Sequence, residues 1–136
     1  MNLEKVFKNL ILLTVLLLIL IVISTIYSSA QISNFNDNAG YGIYDYLGEF
    51  GFILSFLIII TLIILWLVSL FLLYRFKPFG KKLFIYTFVI TLIVGFFDGD
   101  FASSAITTNL SFLAANIEGA IIVFLYFSPI KKKFEK

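Results

Sequence analysis

The chain has 136 residues, 61% hydrophobic and 13% charged, with a formal net charge of +2. A soluble domain averages about 45–50% apolar and about 25% charged residues, and one this short cannot bury so large an apolar excess. That excludes a soluble globular domain, a disordered chain and a disulfide-stapled secreted module, and leaves an integral membrane protein.

A helix needs roughly 20 apolar residues to cross about 30 Å of hydrocarbon. Four stretches approach this. The first, Leu10 to Tyr27, carries no charge and is broken only by Thr14, Ser24 and Thr25. Lys5 and Lys8 precede it and Ser28-Ser29-Ala30 follows, the outline of a signal peptide. The apolar run exceeds the roughly 7–15 residues usual for such a segment, so a retained anchor is expected.

The first loop, 28–49, starts rich in Ser, Asn and Gly, as turns require. From Tyr41 to Phe52 it mixes Tyr and Phe with Asp45 and Glu49. Aromatic rings of this kind gather at the membrane–water boundary, so a short interfacial turn or helix is expected there. The second span, Phe50 to Tyr74, is uncharged and includes Trp66, read as a packing or lipid-contact residue. Lys77-Pro78-Phe79-Gly80 reads as a tight turn that ends the loop 75–78 and leads into the third span. The third span, 79–97, is adequate only if Lys81 and Lys82 snorkel outward.

The second loop, 98–109, opens Asp98-Gly99-Asp100. Two carboxylates flanking a glycine are weak cation-site candidates, because a calcium loop needs more oxygens at fixed offsets. Either Asp also suits a helix N-cap, and the polar run through Asn109 reads as an extramembrane start to the fourth helix. The fourth span, Leu110 to Phe127, ends before Ser128-Pro129 and is the only one with an acid, Glu118.

All ten bases fall before the first span, between the second and third, or after the fourth, alongside Glu4 and Glu135. Asp37, Asp45, Glu49, Asp98 and Asp100 fall in the other two loops. The positive-inside rule then puts both termini in the cytoplasm, which requires an even number of spans. The expected fold is one all-α domain over 1–136: a four-helix transmembrane bundle, up-down-up-down, with cytoplasmic N and C termini. Continuously apolar runs exclude a barrel, whose strands alternate. Size and charge bias point to a bacterial inner membrane.

Glu118 lies near the middle of its span, where insertion of an acid costs about 2.5–3.5 kcal/mol. Protonating a free Glu at neutral pH costs a comparable ~3.7 kcal/mol. No Lys or Arg lies in any span apart from the snorkelling Lys81 and Lys82 at the start of the third. The expectation is therefore a neutral carboxyl hydrogen-bonded to Tyr86, Thr87, Thr91, Thr14, Ser55 or Thr61. Around it Ser111, Ala115 and Gly119 recur every four residues, a ridge of small side chains that permits close helix approach. Asn109 and Asn116 form a second stripe seven apart. Together these six residues, Glu118 included, read as a helix-packing or partner-binding face, with Glu118 also a possible ion or proton site.

With no Cys and no His, the chain lacks thiol nucleophiles, disulfides, Cys/His zinc sites and the commonest general base. No catalytic residue, metal or cofactor is expected. The leading expectation is a non-catalytic subunit or assembly partner of a larger membrane complex. The expected partners are the lipid bilayer, other membrane subunits or a second copy, and anionic lipid at the basic face; bases split among three short pieces do not suggest nucleic acid. An alternative is a small oligomeric transporter or channel using Glu118. Small multidrug exporters carry an acid in their first span, which Leu10 to Tyr27 lacks. In size and span number alone the chain resembles immunity proteins against pore-forming colicins. That topological likeness implies, as a further alternative, a protein that binds a membrane toxin.

Overall fold

The computed structural model describes residues 2–32, 48–95 and 105–135. They form four α-helices, α1 (Leu3–Ile32), α2 (Gly48–Tyr74), α3 (Pro78–Gly95) and α4 (Ala105–Phe127). A short 3-10 helix, Pro129–Phe134, follows. There is no strand among the described residues. Three stretches, Leu3–Tyr27, Phe56–Tyr74 and Ala105–Phe127, are long and apolar enough to cross a membrane. The chain is thus an all-helical protein suited to a bilayer. α3, the expected third span, has 18 residues.

Several helix boundaries differ from the sequence expectation. α1 begins at Leu3, ahead of the apolar run, because Asn2 caps it: its Oδ1 accepts from the Glu4 and Lys5 amides at 3.1 and 3.4 Å. It also runs through Ile32, so the first residues of the expected loop 28–49 are helical. Residues 105–109, counted within the loop 98–109, belong to α4, in line with the reading of that polar run as the start of the fourth helix. Most of the aromatic segment Tyr41 to Phe52 lies outside the described residues; its last residues, 48–52, form the first turn of α2.

The turn between α2 and α3 is Arg75-Phe76-Lys77, starting two residues before the expected Lys77-Pro78-Phe79-Gly80, whose last three residues are helical. The Phe76 amide donates to the Leu73 carbonyl and the Lys77 amide to that of Leu72, both at 2.9 Å. This is the Schellman closure of a helix C-terminus. It puts Phe76 at φ 55, where glycine is usual. Pro78 then opens α3, where its fixed φ and missing N–H suit the first helical position. Gly80 is buried against α2: a Cβ built on it would lie 2.6 Å from Leu72 Cβ and 2.9 Å from backbone atoms of Leu72 and Leu73. The α2–α3 pair therefore depends on a missing side chain.

α1 packs along α4, and α2 along α3. The α1–α4 seam is apolar on the α4 side (Ile117, Ile121, Leu125) and ends in a polar contact, Ser24 Oγ to Thr107 Oγ1, 2.7 Å. Both pairs join in one core: Phe7 and Ile11 of α1, Leu70 and Leu73 of α2, Phe84 of α3, Ile121 and Leu125 of α4, then Ile130 and Phe134. All of these sit toward the charged end. There Phe7 stacks on Phe76 at 5.9 Å and meets Phe134 edge-on at 6.0 Å. Lys8 and Lys133 each lie over the Phe76 ring at 5.4 Å, and Lys133 pairs with Glu4. Toward the opposite end, the described side chains are mostly exposed. Buried hydroxyls do not break this pattern, since Thr14, Ser69 and Thr87 each donate to a carbonyl of their own helix.

Candidate functional site

Where the tight core stops, a cavity of about 370 Å³ opens between the helix pairs. Every helix contributes to its lining: Thr14 and Leu18 from α1, Ile59 and Trp66 from α2, Thr91 from α3, Ser111 and Glu118 from α4, among others. The core residues Ile11, Leu70 and Ile121 lie just beyond Thr14, Trp66 and Glu118, so these three form its closed end.

The polar contact that defines this end joins α2 to α4. Trp66 Nε1 donates to Glu118 Oε1 at 2.9 Å. An indole N–H has one donor and no acceptor, so a carboxyl oxygen satisfies it completely. Three of the expected hydroxyl partners donate to backbone carbonyls of their own helices: Thr14 to Leu10, Thr87 to Leu83 and Thr61 to Leu57. Trp66 is therefore a polar partner as well as a packing residue. In sequence it stands in an unbroken apolar run, where no periodicity marks the side it faces.

The six residues expected to share one face of α4 separate in space. Ser111, Ala115 and Glu118 look into the cavity. A Cβ built on Gly119 would meet nothing within 4 Å, so the small-residue ridge does not seat another helix of this chain. Close packing uses the adjacent stripe, Thr107, Ile117, Ile121 and Leu125. It is centred about 110° away from the Ser111, Ala115 and Gly119 ridge on the helical wheel. Asn109 and Asn116 are exposed on a third side. Asn116 Nδ2 donates to the Phe112 carbonyl at 2.8 Å, leaving Oδ1 and a second N–H for other partners. Asp98 and Asp100 lie outside the described residues.

No Lys or Arg lines the cavity. Among the described residues no group of three or more His, Cys, Asp or Glu side chains comes together, so a hard cation has no cage of oxygens there. The arrangement offers one carboxyl group, one aromatic face, a few hydroxyls and apolar walls. Comparison with protein families, with curated proteins and with solved structures finds no match to the chain.

Proposed function

We propose that the chain is a non-catalytic four-span protein of the bacterial inner membrane that works by associating with another membrane subunit or a second copy. In this reading α3 is the fourth span, and the helices alternate up and down. Both termini face the cytoplasm, since positive charge is retained on that side. Lys and Arg at that end also meet anionic lipid.

The observation that supports association is the uncovered side of α4. Asn116, at mid-helix, is exposed and has unused hydrogen-bonding capacity, and Gly119 beside it has open space in front. An amide turned toward lipid is unfavourable, whereas one turned toward a second helix gains about 0.6–2 kcal/mol from an interhelical bond, and a glycine lets that helix approach closely. The chain has no cysteine, so Phe112→Cys, on the same side of α4, introduces a single thiol and keeps Asn116. Oxidation in native membranes is expected to cross-link Phe112→Cys to a partner or a second copy, while Phe56→Cys on α2 stays monomeric. Equal cross-linking of both, or of neither, removes this proposal.

A second reading, passage of a solute past Glu118, is favoured by the cavity. It predicts that Glu118→Gln abolishes a flux that the wild-type chain supports in vesicles.

A further inference from the structure

We propose that the cavity closed by Trp66 and Glu118 binds a lipophilic organic monocation, such as a substituted ammonium ion. The proposal deepens the second reading above and needs only that a solute enters the cavity, not that it crosses the membrane.

Size sets the first limit. About 370 Å³ falls at the lower end of the roughly 300–1,000 Å³ typical of small-molecule pockets. It is far too small for a transmembrane helix, whose diameter with side chains is about 10–12 Å over its whole length.

Charge sets the second. Glu118 is the only ionisable side chain in the lining, and neither Lys nor Arg stands near it to balance a carboxylate. An anion would be repelled. A neutral apolar molecule would fill the cavity and leave the carboxyl with Trp66 alone. A monocation can take the place of the Glu118 proton, so the cavity carries no net charge whether it is empty with the acid protonated or occupied with the acid ionised, in a medium where net charge is expensive.

Chemistry sets the third. A hard metal ion favours several charged oxygens, and the lining offers one carboxyl group beside three hydroxyls. An organic cation spreads its charge over carbon and is less strongly hydrated. Its alkyl or aryl groups fit against Leu18, Ile59 and the other apolar walls. Trp66 adds the strongest aromatic partner for a cation, and its N–H bond to Glu118 fixes the ring at the acid.

Trp66 is the only tryptophan in the chain, so its fluorescence reports on this cavity directly. The purified full chain in a non-ionic detergent would be titrated with benzyltrimethylammonium and with neopentylbenzene, its uncharged carbon isostere. The expected result is a saturable change in emission with the cation. The isostere should bind at least 10-fold more weakly, and Glu118→Gln should weaken the cation at least 10-fold while leaving the isostere unchanged. Equal affinity for the two compounds, or no saturable response to the cation, overturns the proposal. The comparison within the wild-type chain decides the matter even where Glu118→Gln fails to fold. Because the readout is occupancy rather than flux, a chain that binds the cation but moves nothing would defeat the transport reading and leave the site intact.

Discussion

Phe76 shows how one residue is held in an unfavourable backbone region by its neighbours. Its φ of 55 belongs to the left-handed region, which costs an L-residue about 1–2 kcal/mol. Against this stand its contacts with Phe7 at 5.9 Å and Phe134 at 5.5 Å, and two lysines over its face. Removing a phenyl ring from a core costs about 3–5 kcal/mol, and less for a half-buried one. The ring should outweigh the strain, so Phe76→Gly is expected to destabilise by about 1–2 kcal/mol. Thermal unfolding in detergent, followed by circular dichroism, checks this; a rise in Tm would mean that strain dominates. At this scale the sequence is legible in part. Glu118 stands out as the one acid in a span, but its partner does not, since Trp66 is one apolar-looking residue in a helix with no polar stripe.

For the helices, existence and order were readable from hydropathy, because an uninterrupted apolar run satisfies its backbone in lipid only as a helix. Their ends were not, because hydropathy marks depth in the bilayer and not where hydrogen bonding stops. α1 illustrates this: Asn2 with Glu4 two residues on is a capping signal that composition alone passes over. Which side of α4 faces α1 was equally hidden, since small residues and bulky ones both form continuous stripes along it. Glycine gives a test of the helix contacts. Gly80→Ala forces a methyl group into α2 and should cost about 1–3 kcal/mol by separating α2 from α3. Gly119→Ala meets nothing and should be neutral or stabilising by up to about 1 kcal/mol, through helix propensity alone. Unfolding temperatures that move in the same direction for both would contradict the packing described for Gly80.

Across the whole molecule, charge and packing coincide. The end that gathers the described bases is also the end where the aromatic and aliphatic core closes. Lysines there cover ring faces, as Lys81 does over Tyr126 at 4.0 Å, so their charge stays outward while their stems shield the core. The topology that we propose makes a direct prediction. A reporter active only in the cytosol should work when fused after Glu135 and fail when inserted at Asn38, and the opposite pattern would invert the molecule. Sequence alone pointed to this asymmetry of charge but not to the asymmetry of packing, which depends on contacts between residues far apart in the chain.

That second asymmetry has a mechanical consequence. Because Phe7, Phe76 and Phe134 knot one end together and Ser24 ties α1 to Thr107 of α4 at the other, each helix pair forms a lever with its pivot at the knot. α1, with 30 residues, is about 45 Å long, so a tilt of about 5° at the pivot swings its free tip by about 4 Å. The mouth between the helix pairs can therefore widen or narrow by the width of an acyl chain while the knot itself barely moves.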